Sequence, residues 1–192
     1  MTEPEDIPDK EYLTKLYICE TYRVFRDRLI DENDRKKFSS DSHEVIENYM
    51  ELEWELSSFE NIAFGDFGEQ GETKYQILGD PNELMERLDQ LLSLYNAQNT
   101  PMDLVFFADC MQHLARIARI LRQQRGNAML VGVGGSGRRS MAMFAASFSS
   151  MTTFQIEITK SYCEKDWHEN IKDLLKMCAL DNRKVQFLFS DT

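Results

Sequence analysis

Residues 131–140 read VGVGGSGRRS, where Gly132, Gly134, Gly135 and Gly137 stand beside two arginines and two hydroxyl side chains. This spacing suits anion binding: glycine backbone approaches an oxyanion closely, and the amides at the mouth of a following helix donate to phosphate oxygens. The run follows the phosphate-cradling pattern GxxxxGK[ST] from Gly132 to Gly137, but Arg138 stands at the lysine place and Arg139 at the hydroxyl place. Arg138 keeps the positive charge as a planar fork instead of a compact ammonium. Arg139 offers no hydroxyl to a metal, and Ser140 lies one residue on, about 100° around a helix axis. The candidate nucleotide-binding residues are Gly132, Gly134, Gly135, Ser136, Gly137, Arg138, Arg139 and Ser140. The competing reading is a glycine-rich tight turn.

A second expected component is a carboxylate at the end of a later apolar strand, beside the phosphates, where it can hold Mg2+. FLFSD supplies Asp191. Hydrolysis also calls for a group that orients the attacking water, and the residue after Asp191 is Thr192, which cannot polarise water as a carboxylate does. ATP or ADP is therefore expected to be held and turned over slowly or not at all, and no catalytic residue is assigned.

These residues need elements to position them. NAMLVGV (127–133) reads as an apolar strand leading into the loop and RRSMAMFAASFSS (138–150) as the helix leaving it. FQIEI (154–158) reads as a second strand, CEKDWHENIKDLLKMCAL (163–180) as an amphipathic helix, and VQFLFSD (185–191) as a third strand. Strand, helix, strand, helix, strand implies parallel pairing with crossovers. Upstream, Asp80 and Pro81 open a helix with Leu84, Leu88, Leu91 and Tyr95 on one stripe, ending near Asn96. A helix after Pro101 carries Leu104, Phe107, Met111, Leu114, Ala118 and Leu121 and stops at Gly126. Its other side bears Arg116, Arg119, Arg122 and Arg125, for which a solvated face outweighs a phosphate contact.

The first third is helical in pattern. Leu13, Leu16, Tyr17, Val24 and Phe25 suggest one apolar face, and a second helix is expected from the capping residues Asp41 and Ser42, with Val45, Tyr49, Leu52 and Leu56 inward. FGDFGEQGETKYQILG (64–79) mixes glycine and charge without helical period and reads as a loop or linker. The expected division is a helical region over 1–60, a linker over 61–79 and a loop-bearing unit over 80–192.

Composition narrows the classes. Residues 1–99 hold 24 Asp+Glu against 10 Lys+Arg, and residues 100–192 hold 9 against 12, so the acidic total of −11 argues against general nucleic-acid binding while the second half can accept a small anion. No apolar run approaches the ~18 residues of a membrane span, and the acidic start MTEPEDIPDK is unlike a secretory leader, which places the chain in the cytoplasm. Cys19, Cys110, Cys163 and Cys178 lie far apart and form no CxxC pair, as expected of reduced thiols; His43, His113 and His168 are not at ligand spacing.

The run RGNAMLVGVGGSGRRS, followed by FQIEITKSY and VQFLFSDT, resembles the fourth AAA+ module of an axonemal dynein heavy chain. CETYRVFRDRL resembles the motif near the end of the third module, where the family usually has histidine at the place of Cys19, and the stretch from IAFGDF through LVFFADCMQHLARIARIL resembles the connection between the two. The resemblance implies an α/β P-loop NTPase (AAA+) fold, with a parallel sheet and flanking helices incomplete at the C-terminus, preceded by an α-helical region. It implies a regulatory nucleotide module in a six-module ring. Implied partners are the other AAA+ modules of the same heavy chain, dynein intermediate and light chains, and microtubules, within the cytoskeleton of the ciliary axoneme. The family's cytoplasmic members resemble the complete lysine, hydroxyl and Asp-Glu pattern more closely, so Arg138 and the Asp191–Thr192 pair point to the cilium. Axonemal loops usually carry glutamine where Arg139 stands, which makes this second arginine a departure.

Two other classes compete with a regulatory nucleotide module. One is a structural ring segment whose loop keeps its shape empty. The other is a free-standing P-loop kinase, whose loop would normally keep the lysine and hydroxyl.

Overall fold

The structure, a computed structural model, describes residues 7–50, 52, 62–67 and 74–190. The chain divides into two compact units, Met1–Pro81 and Asn82–Thr192. Each has its own set of buried apolar side chains.

In the first unit, α1 (Lys10–Val24) starts on Asp9, whose carboxylate accepts the Tyr12 amide at 2.7 Å. Its buried face is Thr14, Ile18, Cys19 and Tyr22, spaced by one turn. The Thr14 hydroxyl donates to the Lys10 carbonyl at 2.8 Å, so its burial leaves no polar atom unpaired. The expected stripe is corrected accordingly: Leu13, Tyr17, Val24 and Phe25 are between 38% and 58% exposed. The helix carries apolar residues on two adjacent stripes, and packing against the next elements selects one.

The second helix also differs. α2 (Glu32–Met50) begins nine residues before Asp41, because Asp31 caps it: Asp31 Oδ1 accepts the Asn33 amide at 2.6 Å and its carbonyl accepts the Arg35 amide at 3.1 Å. Ser42 lies inside the helix, where its hydroxyl donates to the Phe38 carbonyl at 2.7 Å. Ile46 is fully buried, whereas Val45 and Tyr49 are 42% and 80% exposed. Leu52 packs against the core, and Leu56 lies outside the described residues.

Residues read as a linker contribute to that core. β1 (Phe64–Gly65) pairs antiparallel with β2 (Gln76–Ile77), in register Phe64↔Ile77. Phe64 stacks edge-on against Tyr12 at 5.4 Å and lies 5.7 Å from the Tyr75 ring, and the Tyr75 hydroxyl donates to Glu20 at 2.8 Å. The charges that suggest a linker, with Gly68 and Gly71, fall between these two strands in sequence, while Gly65 belongs to β1 and Gly79 follows β2. The aromatics on either side bind the segment to α1.

In the second unit, α3 (Pro81–Gln98) opens at Pro81 as its sequence indicates and buries Leu88 and Leu92. Asn96 holds the following turn, its side chain donating to the Met102 carbonyl at 2.9 Å and accepting the Met102 amide at 3.0 Å. α4 (Ala108–Arg122) buries Cys110, Met111, Leu114, Ala115, Ile117 and Ala118. It begins after Leu104 and Phe107, later than the periodicity suggests, with Phe107 as its exposed N-cap. Gly126 follows the turn closed by Gln123 on the Ile120 carbonyl, and a Cβ there would run into that carbonyl oxygen.

α5 (Arg138–Phe148) packs on α4 and on two later strands and buries Ala142, Phe144, Ala145 and Ala146. Phe144 fills the centre, its ring 6.0 Å from Tyr95, 5.7 Å from Phe106 and 4.8 Å from Phe148. β3 (Thr152–Gln155) then runs parallel to β4 (Val185–Leu188), from Thr152↔Val185 to Gln155↔Leu188, with α6 (Glu164–Ala179) between them in sequence. This is the expected parallel pair, with β3 placed two residues earlier than FQIEI.

The strand expected over 127–133 does not form a ladder. Residues 127–133 have no strand partner among the described residues, and Met129, Val131 and Val133 are 87%, 82% and 77% exposed. A strand exists only through hydrogen bonds to a neighbour. β3 and β4 pair with each other alone among the described residues, so the parallel sheet is partial.

Candidate nucleotide site

The loop is shaped by two residues in left-handed conformation. Gly135 has φ 77° and Gly137 has φ 73° and ψ 7°, a region costly to any residue with a Cβ. Gly137 is the N-cap of α5 and makes no side-chain cap. The first backbone bond of the helix runs from the Met141 amide to the Gly137 carbonyl at 2.8 Å. The amides of Arg138, Arg139 and Ser140 therefore precede the helical ladder and need an outside acceptor. Amides so placed, with the helix dipole behind them, are the kind of donors that suit an oxyanion.

Every residue from Val131 to Ser136 is exposed, so the loop is open to a ligand from solvent. Arg138 turns back across it. Its two Nη atoms donate to the Leu130 carbonyl at 3.4 Å and the Val133 carbonyl at 3.1 Å. The stem of the side chain lies over Gly132, where a Cβ would meet Arg138 Cδ at 3.5 Å and Ser136 Oγ at the same distance. Thus Gly132, Ser136, Gly137 and Arg138 come together, Arg139 points to solvent as an exposed side chain, and Ser140 is half-buried in the first turn. Asp191 and Thr192 lie outside the described residues.

The donor chemistry at the start of α5 does not fit a metal ligand at the usual place. Arg139 is a cation where a hydroxyl would coordinate Mg2+. Elsewhere, no group of three or more His, Cys, Asp or Glu is arranged for a metal among the described residues. Cys19 and Cys110 are buried and in no disulfide, and burial pushes the Cys110 thiol up, away from thiolate reactivity. No described helix is long and apolar enough to cross a membrane.

Comparison with known proteins bears on the same residues. Residues 102–192 match the family described as the P-loop containing dynein motor region D4. Dynein axonemal heavy chain 1 of Mus musculus is 38% identical over 195 residues, covering 100% of this chain and 5% of the relative. Over its whole length the chain is similar in sequence to a segment of axonemal dynein heavy chains. Human dynein axonemal heavy chain 2 is 36% identical over 187 residues (95% of this chain, 4% of the relative), and human heavy chain 6 is 36% identical over 197 residues (99% and 5%). The chain thus spans about 5% of the length of the curated relatives it matches.

Within the second unit one important residue carries no motif signal. Gln186 is buried on β4, where it accepts the Thr153 hydroxyl at 3.0 Å and donates to the Ala142 carbonyl of α5 at 3.0 Å. It fastens the strand that leads toward Asp191 to the helix that leaves the glycine loop. A signal for it exists in VQFLF: one amide side chain in an apolar run must find partners once buried.

Proposed function

We propose that residues 132–140 hold the phosphates of ATP or ADP in a regulatory AAA+ module of a ciliary dynein heavy chain, with hydrolysis at this site weak or absent. The observation that carries the reading is the left-handed Gly137 N-cap, which leaves the Arg138, Arg139 and Ser140 amides without helical acceptors beside an arginine side chain. Asp191 is the carboxylate assigned to Mg2+ in this reading. With Arg139 at the hydroxyl place and Thr192 at the water-orienting place, binding is retained and turnover is not. The parent's partners in this proposal are the neighbouring AAA+ modules, intermediate and light chains, and microtubules, in the axoneme.

Equilibrium dialysis of labelled ATP and ADP against the 192-residue chain tests it. Arg138→Ala is expected to weaken binding about tenfold or more, the effect of losing charged hydrogen bonds to phosphate. Equal binding by Arg138→Ala and the unaltered chain contradicts the assignment.

A second reading has its own support. Arg138 already satisfies its guanidinium on Leu130 and Val133, so the loop can keep its shape without a ligand, as a structural segment of the ring would. Undetectable ATP and ADP binding by the folded chain favours that reading.

A further inference from the structure

We propose that Arg138 is a self-closing latch: in the empty loop its guanidinium is held by the Leu130 and Val133 carbonyls, and a polyphosphate must draw it away to be seated. This rests on the nucleotide-binding reading and goes beyond it, because it makes one side chain both the barrier to entry and the later phosphate contact.

The geometry supplies both halves of the latch. The two accepting carbonyls lie before the glycine turn and Arg138 begins the helix after it, so the side chain spans the neck of the loop. The Val133 bond, at 3.1 Å, is the firmer of the two, and 3.4 Å to Leu130 is near the limit of a useful contact. Neutral carbonyls are weaker acceptors for guanidinium than phosphate oxygens, which add full charge and bidentate geometry. The exchange therefore runs toward phosphate when phosphate is present and back to the carbonyls when it leaves. The acceptors are backbone, so the latch needs no acidic side chain and persists across the pH range in which the loop is folded. The residue before helix entry suits the motion: Gly137 is left-handed, and a Cβ on it would meet only Leu104 Cδ2, at 3.8 Å.

The test is nuclear magnetic resonance of arginine guanidinium groups in the complete 192-residue chain, first without nucleotide and then titrated with ATP; Arg138→Lys assigns the signal by its disappearance. In the empty chain, rotation about the Arg138 Cζ–Nε bond is expected to be slower than that of exposed Arg139 by about tenfold or more. ATP is expected to shift the Arg138 signal together with the Gly135–Ser140 amides. A freely rotating Arg138 in the empty chain overturns the latch, even if ATP still moves those amides. Amides that move while a hindered Arg138 does not show a permanent brace, and also overturn it. No response of either group to ATP defeats the nucleotide reading itself, and with it the release step.

Discussion

Gly137 and Arg138 are adjacent and do opposite things, one removing a side chain so that the backbone can turn, the other placing a charge across the turn. Gly137→Ala forces a Cβ into φ 73° and is expected to cost about 1–2 kcal/mol, read as a fall in the urea midpoint of the second unit followed by Trp167 fluorescence in a Trp54→Phe background. Steric contact is not the cause, since the added methyl meets only Leu104 at ordinary distance. The glycine and arginine positions were legible from the sequence because the pattern fixes them by spacing. Where the Arg138 guanidinium goes was not, because carbonyl acceptors five and eight residues back carry no residue signature.

At the scale of elements, the sequence revealed that helices and strands exist better than it revealed their inward faces. α2 is the clearest case: the apolar step Val45–Tyr49 and the buried pair Ser39 and Ile46 lie on different faces of one helix, and packing against the first unit's core decides between them. Ile46→Ala is expected to destabilise the first unit by about 2–5 kcal/mol, while Val45→Ala stays within about 0.5 kcal/mol; equal losses in chemical denaturation would refute the assigned face. Gln186→Leu leaves the Thr153 hydroxyl and a lone pair of the Ala142 carbonyl without their partner and is expected to cost about 1–3 kcal/mol by the same measurement. An unchanged midpoint would show that the β4 to α5 tie is idle.

α6 carries a pH-dependent cap. The Asp166 carboxylate accepts the Cys163 amide at 2.9 Å, and these backbone and side-chain bonds hold its pKa below the usual carboxylate value. A depressed folded pKa means that the cap contributes above the unfolded carboxylate's pKa and fades as pH falls through the folded one. The protection factor of the Cys163 amide, its exchange rate corrected for the intrinsic pH dependence, should therefore fall on acidification through that range. Asp166→Asn should flatten the response, and a response unchanged by the substitution would rule out Asp166 as its source.

Taken whole, the molecule is two compact units. The Asp80–Pro81 helix start is visible as a capping pair, and the structure turns from one unit to the other at Pro81 and Asn82. The hairpin before it was not visible, because two-residue strands such as β1 and β2 are too short to show alternation and are held by aromatic contacts with α1. The loop-entry segment 127–133 fails differently. Its composition is that of a buried strand, yet a ladder depends on a neighbour and composition does not show whether one is present.

Whether the first amides of α5 bind nucleotide phosphate is decided by a crystal structure of the chain grown with ADP. Phosphate oxygens are expected about 3 Å from the Arg138–Ser140 amide nitrogens, with the Arg138 guanidinium moved off Leu130 and Val133 onto the ligand. A well-ordered loop at saturating ADP with no phosphate on those amides, and Arg138 still on the two carbonyls, would contradict that binding.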